Sequence, residues 1–180
     1  EAVEAFERNL LVDALQRMGV EASAPTGCPP VAIKGQGGLE AGRIEIDGNL
    51  SSQYVSALLM AGACGKGPLE VALTGSDIGA RGYVDLTLAA MQAFGAQVEA
   101  LSDTAWKVSA TGYHATDFHI EPDASAATYL WAAQALTAGR IDLGVATQDF
   151  TQPDALASQL IDSFPNMPAV IDGSQMQDAI

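Results

Sequence analysis

The chain has 180 residues, with 22 Asp and Glu against 8 Lys and Arg, giving a net charge of −14 at pH 7. A hydrophobic fraction of 48% with 17% charged residues fits a folded chain long enough to bury a core, as one domain or two small lobes. The acid excess argues against nucleic acid, other polyanions and anionic membranes as partners, because each demands clustered Lys and Arg.

The predicted elements alternate between helices and short β-branched runs. Leu10, Leu11, Ala14, Leu15 and Met18 recur at helical spacing and stop at Gly19, which predicts a first helix. Strand-like runs follow at 31–34 and 43–47. A second helix carries Tyr54, Val55, Leu58, Leu59 and Gly62, and a strand at 69–73 comes next. Val84, Leu88, Met91 and Phe94 mark a third helix, closed by Gly95. Runs at 97–101, 106–110 and 118–121 read as strands, and a fourth helix runs through Tyr129, Leu130, Ala133 and Leu136 to Gly139. Two more strand-like runs, 141–145 and 169–172, flank a fifth helix that begins at Pro153-Asp154 and buries Leu156, Leu160 and Ile161.

The pattern also repeats. Ser51-Ser52-Gln53-Tyr54 with Ala57-Leu58-Leu59 returns as Ser125-Ala126-Ala127-Thr128-Tyr129 with Ala132-Ala133, 74 residues later. The stretch from Asp13 to Val20 is echoed from Leu88 to Ala96 at an offset of about 76. A period that long holds two helices and several strands, which predicts duplicated helix–strand modules with their helices buried together. Chance similarity is the alternative.

Cys28 and Cys64 form no CxxC pair, so neither a disulfide framework nor a zinc fold is expected, and a cytosolic setting is the default. No run reaches the roughly 18 apolar residues of a membrane span. The acidic start, Glu1-Ala2-Val3-Glu4, lacks the basic head of a secretory signal, and the absence of an initial Met suggests a piece of a longer protein.

Four segments carry candidate chemistry. In Asp47-Gly48-Asn49-Leu50-Ser51-Ser52-Gln53 a turn delivers two hydroxyls and an amide to a helix start, where free N–H groups and the dipole favour phosphate or carboxylate. Plain N-capping by Asn49, Ser51 or Ser52 is the alternative. Gly79-Ala80-Arg81-Gly82-Tyr83 places a cation and a phenol in a loop before the third helix, either as an anion site or as a solvated Arg beside a half-buried Tyr. Glu121-Pro122-Asp123-Ala124-Ser125 sets acids and a serine before the fourth helix, where capping accounts for them. Asp178 is a first-turn acid near the end of the chain. His114 and His119, five apart, face opposite sides of a shared strand and cannot hold one metal. Gly35-Gln36-Gly37 and Gly65-Lys66-Gly67 fail as dinucleotide and P-loop motifs.

Taken together these motifs are familiar. Residues 47–54 with Ala57-Leu58-Leu59-Met60 resemble the shikimate-binding segment of the 5-enolpyruvylshikimate-3-phosphate synthase family. Gly82-Tyr83-Val84-Asp85-Leu86-Thr87-Leu88 with Met91 and Phe94-Gly95 resembles that family's next helix, and Glu121 to Tyr129 its crossover between lobes. The resemblance implies an α+β fold of repeated βαβαββ units, helices inside and sheets facing outward, with 1–117 in a first lobe and 118–180 opening a second after a hinge. It implies transfer of the enolpyruvyl group of phosphoenolpyruvate to the 5-hydroxyl of shikimate 3-phosphate, with no cofactor and no metal. By the same resemblance Ser51, Ser52, Gln53, Arg81 and Tyr83 bind substrate and Asp178 is the catalytic carboxylate.

The chain departs from the family in having Ala80-Arg81-Gly82-Tyr83 where Ser-Arg/Lys-Pro-Tyr is usual, and in lacking the Arg-rich phosphoenolpyruvate loop. At under half a family member's length, it is expected to be inactive alone and to self-associate, although whole family members are expected to be monomers. The sister transferase acting on UDP-N-acetylglucosamine, and a non-catalytic module of the same fold, are the rival readings.

Overall fold

A computed structural model describes residues 11–27, 29–48, 51–75, 81–176 and 179. The chain divides into two units: Glu1–Gly79 with Thr87–Thr116, and Ala80–Leu86 with Asp117–Ile180.

In the first unit, the initial helix (α1, described over 11–17) buries Val12, Ala14 and Met18. It stops because Gly19 adopts a φ of +79°, and Val20 N–H then reaches back to the Leu15 carbonyl at 3.0 Å. Strands β1 (Glu21–Ser23) and β2 (Ala32–Lys34) form an antiparallel pair with Ala22 opposite Ile33. The expected run at 31–34 is therefore a strand, and β1 is an addition to the expectation.

A complete β-α-β-α-β-β sequence follows: β3 (Gly42–Asp47), α2 (Ser52–Ala63), β4 (Leu69–Thr74), α3 (Arg81–Ala93), β5 (Val98–Ser102) and β6 (Ala105–Val108). The four strands make one sheet in the order β3-β4-β6-β5. β3 and β4 are parallel, as the α2 crossover between them requires, and β6 runs antiparallel to β4 and to β5. The register places Ile44, Val71 and Trp106 side by side in one row, and all three are buried. β3 alternates as an edge strand should: Ile44 and Ile46 point inward, while Arg43 faces out and pairs with Glu45 at 2.8 Å and with Glu70.

α2 covers this sheet with Val55, Leu58 and Leu59. Gly62 is what lets it lie so close. A Cβ there would sit 3.1 Å from Leu69 Cδ2 and 3.4 Å from Val108 Cβ. The end of α3 repeats the end of α1, since Gly95 has a φ of +84° as Gly19 has +79°. α1 with β1–β2 thus matches α3 with β5–β6, which is the 76-residue echo of the sequence.

The second unit is built differently. α4 (Ala124–Thr137) packs against a 3-10 turn (Pro153–Leu156) and α5 (Ala157–Asp162). The contact uses small side chains, with Ala124, Ala127 and Thr128 of α4 buried alongside Asp154, Ala155, Ala157 and Ser158. Trp131 adds an edge-to-face contact with Phe150, ring centroids 5.6 Å apart.

Several sequence expectations fail in this unit. The runs 118–121, 141–145 and 169–172 are not strands, because no ladder partner lies beside them among the described residues. The fourth helix forms, but it ends on Ala138 at φ +53° instead of Gly139, and Tyr129 and Leu136 are 79% and 71% exposed. The large apolar residues of α4 are not confined to one face, so spacing could not select its buried face. Small residues win that contact because they let the backbones approach. For the same reason Leu156 is exposed and Leu160 and Ile161 are only half-buried. No described helix is long and apolar enough to cross a membrane.

Candidate functional site

In the first unit the sequence-predicted residues cluster on the opening turn of α2. The turn before it is tied to the sheet, since Gly48 N–H donates to the Thr74 carbonyl at 2.8 Å; Asn49 and Leu50 lie outside the described residues. Ser51 is the N-cap, with φ −52°, ψ 132°, and its Oγ accepts from the Gln53 N–H at 3.3 Å. The capping alternative is therefore what Ser51 does here. A hydroxyl that accepts in this way still has its own proton to donate, so capping and anion binding are compatible at one atom. Ser52 is 7% exposed and Gln53 is exposed. The first turn of α2 contains no acid, so no fixed negative charge on this helix opposes an anion there.

A cavity of about 70 Å³ lies nearby, lined by Leu11, Asp13, Arg17, Asp47, Tyr54 and Leu58 among others. It has room for a water or two and not for a metabolite, which needs several hundred Å³. The larger cavities of the second unit, about 250 and 480 Å³, are lined by residues of the 131–162 region and include none of the predicted side chains.

In the second unit Arg81 and Tyr83 stand on the first turn of α3, not in a loop before it as the glycines suggested. Arg81 Nε donates to Asp85 Oδ1 at 3.0 Å, one helical turn on. Tyr83 donates its phenol proton to Asp154 Oδ2 at 2.7 Å. The same carboxylate oxygen accepts from the Ser125 hydroxyl at the start of α4. Asp154 is 0% exposed, and its Oδ1 has no partner among the described residues.

The segment that carries Asp154 is itself clamped. Glu121 accepts from the Thr151 N–H (2.9 Å at Oε2) and hydroxyl (2.9 Å), and from the Gln152 N–H (3.1 Å) and side-chain amide (3.0 Å). Gln152 then donates to the Pro122 carbonyl at 2.7 Å and accepts from the Ala124 N–H at 2.9 Å. Burial tends to raise the Glu121 carboxyl, but these hydrogen bonds from Thr151 and Gln152 outweigh it and hold its pKa below the ordinary value. Asp123, between them, is the true N-cap of α4 and accepts from the Ala126 N–H at 3.0 Å.

Each acid of the 121–125 segment thus has a structural task, as the capping alternative proposed. Asp154 and Gln152 were not singled out as site residues by their sequence, since nothing local marks a partner 71 positions away. Asp178, the expected catalytic carboxylate, lies outside the described residues, as does Cys28. Cys64 is a free, exposed thiol. Among the described residues no group of three or more His, Cys, Asp or Glu is placed to hold a metal.

A sequence model of the family described as EPSP synthase (3-phosphoshikimate 1-carboxyvinyltransferase) matches residues 9–178. The chain is similar to the 3-phosphoshikimate 1-carboxyvinyltransferase of Pseudomonas syringae pv. tomato, 90% identical over 94% of this chain and 41% of that protein. It is 63% identical to the Rhizobium etli protein of the same name, over 94% of this chain and 40% of the relative. Among solved structures it is similar to an EPSP synthase from Acinetobacter baumannii, with a TM-score of 0.53 and 25% identity over 72% of this chain and 28% of that one. The chain therefore spans about two-fifths of the length of the curated relatives it matches.

Proposed function

The chain belongs to the EPSP synthase family, and on that premise we propose that it carries the shikimate 3-phosphate-binding part of a 3-phosphoshikimate 1-carboxyvinyltransferase. The observation that carries this reading is the opening turn of α2, where Ser51, Ser52 and Gln53 stand together at a helix end free of acids. Two hydroxyls, an amide and the positive end of the helix dipole suit a phosphate or carboxylate without a lysine. Arg81 and Tyr83 add a guanidinium and a phenol to the binding set.

In the reaction, the 5-hydroxyl oxygen of shikimate 3-phosphate bonds to C2 of phosphoenolpyruvate while a proton is delivered to the C3 methylene. Loss of a C3 proton and of inorganic phosphate then restores the double bond. One group must take the hydroxyl proton, and that role is assigned to Asp178. Holding two anionic substrates in register converts a bimolecular step into a nearly unimolecular one. The reading includes a first lobe ending near residue 117 and a second beginning at 118, supported by the division of the chain at Thr116 and Asp117. It also includes a cytoplasmic setting, supported by the exposed thiol of Cys64. Self-association of the 180-residue chain, supported by the exposed Tyr129 and Leu136 on α4, would appear as a concentration-dependent sedimentation coefficient.

Calorimetric titration of the chain with shikimate 3-phosphate tests the central claim. Binding is expected, and replacing Ser51 and Ser52 together by Ala is expected to weaken it by about ten-fold or more, since hydrogen bonds to a charged group are at stake. Unchanged affinity in that variant, or no binding by the parent chain, would overturn the reading. Released phosphate, assayed with both substrates present, is expected to stay at background for the 180-residue chain.

A further inference from the structure

Among the described residues Asp154 is the buried charged side chain of the second unit, and neither the motif pattern nor the proposed reaction gives it a task. Its carboxylate is fully buried, and all of its hydrogen bonding falls on one oxygen. Oδ2 accepts from Tyr83 at 2.7 Å and from Ser125, while Oδ1 has no partner among the described residues. A carboxylate buried with only two donors holds both of them firmly, because releasing either leaves the charge less compensated in a poorly solvated place.

Two neighbouring contacts fix the same geometry. Gly82 lies against Pro153 so closely that a Cβ would come within 2.6 Å of its Cγ, and the adjacent residues Tyr83 and Asp154 make the hydrogen bond. Behind them Glu121 grips Thr151 and Gln152, so the segment that presents Asp154 is anchored from its own unit.

A phenol has one proton. Once it is given to Asp154, the Tyr83 oxygen has only lone pairs to offer. We propose that Asp154 is a positioning residue for Tyr83, taking the phenol proton so that Tyr83 meets the bound ligand as a hydrogen-bond acceptor from a ligand hydroxyl and not as a donor to a phosphate or carboxylate oxygen. The inference rests on the reading that Tyr83 contacts shikimate 3-phosphate, and it adds which part of that molecule the phenol recognises.

The test compares three ligands on the same chain by NMR titration: shikimate 3-phosphate, shikimate, and the methyl ester of shikimate. Only the ring hydroxyls free in shikimate 3-phosphate are common to all three as donors without charge. Tyr83→Phe is expected to weaken all three by the same factor, about three- to ten-fold for one neutral hydrogen bond. Asp154→Asn is expected to weaken all three as well, and the double variant to bind no worse than the weaker single variant, because Asp154 acts through Tyr83.

A Tyr83→Phe penalty confined to shikimate 3-phosphate, or one that vanishes with the methyl ester, would place the phenol on an anionic group and overturn the proposal. So would an Asp154→Asn variant with a lowered melting temperature but unchanged affinities, since that is the behaviour of a purely structural carboxylate. If Asp154→Asn does not fold, the three-ligand profile of Tyr83→Phe decides alone. Failure of the parent chain to bind shikimate 3-phosphate at all would overturn the underlying reading and this inference with it, an outcome distinct from the others.

Discussion

Glycine at position 82 is held in a close contact whose cost can be measured. Gly82 is the second residue of α3, and an alanine Cβ would lie 2.6 Å from Pro153 Cγ and 3.2 Å from its Cβ. Carbon atoms prefer about 3.5–4.0 Å, and a proline ring cannot rotate away as a long side chain would. Overpacking of this kind costs about 1–3 kcal/mol. Opposing it, Gly→Ala within a helix ordinarily gains about 0.5–1 kcal/mol. Gly82→Ala is therefore expected to destabilise the second unit by up to about 2.5 kcal/mol. In a Pro153→Gly background the ring is gone, and the same substitution is expected to stabilise by about 0.5–1 kcal/mol. The sign reverses, and the coupling between the positions is about 1–3 kcal/mol. Urea titration followed by the two indole N–H signals reads this locally, because Trp131 belongs to the second unit and Trp106 to the first. Stabilisation by Gly82→Ala in the parent chain, or additivity of the two changes within about 0.5 kcal/mol, would refute the steric argument.

Other consequences are as direct. Glu121→Gln puts an amide N–H where a carboxylate oxygen accepts from Thr151, and is expected to lower the stability reported by Trp131 by about 1–2 kcal/mol at pH 7, a figure discounted for partial exposure. Because the Glu121 pKa is lowered by folding, its contribution is present above the ordinary value of 4.5 and is lost as pH falls through the lowered one. The gap between parent and variant should accordingly narrow from about pH 4.5 downward; a gap that stays constant to pH 2 would show that the charge is irrelevant. Leu59, fully buried on α2, should cost about 2–5 kcal/mol when cut to Ala, seen in the Trp106 transition, and a loss below about 1 kcal/mol would mean the helix is not seated on the sheet as described.

The first unit was legible because its signals are local and redundant. In α2 the apolar spacing, the serine cap and the Gly62 approach all specify the same helix on the same face. The run from Gly42 to Asp47 alternates and the run from Leu69 to Thr74 does not, which separates an edge strand from a central one. β1 was missed because Glu21-Ala22-Ser23 has no apolar signature and is held by its pairing with β2. In the second unit the same reasoning misled. Ile141 to Val145 is β-branched enough to read as a strand, yet a strand exists only with a neighbour to bond, and a run of sequence does not say whether one is there. α4 misled in another way, since a helix whose apolar residues are spread around its axis has no stripe to read.

For the site, the division falls between contacts close in sequence and contacts far apart. The cap that Ser51 forms with the Gln53 N–H is legible because a cap and the turn it serves are adjacent. Asp154 is not, because its two donors come from 29 and 71 positions away. The net charge of −14 marks the same boundary. Read as a total it argues against polyanions, but it says nothing of where the acids act. Lys34, Arg43, Lys66 and Arg81 are each paired with a carboxylate. Glu121, Asp123, Asp154 and Asp172 instead receive backbone N–H groups, a side-chain amide or hydroxyls. In this chain, then, part of the acid excess works as a supply of strong acceptors that order loops and fix hydroxyl protons. On the proposal that Asp154 orients the Tyr83 phenol, a carboxylate contributes to recognising a ligand it never touches, so a negative chain and a negatively charged ligand are not in conflict.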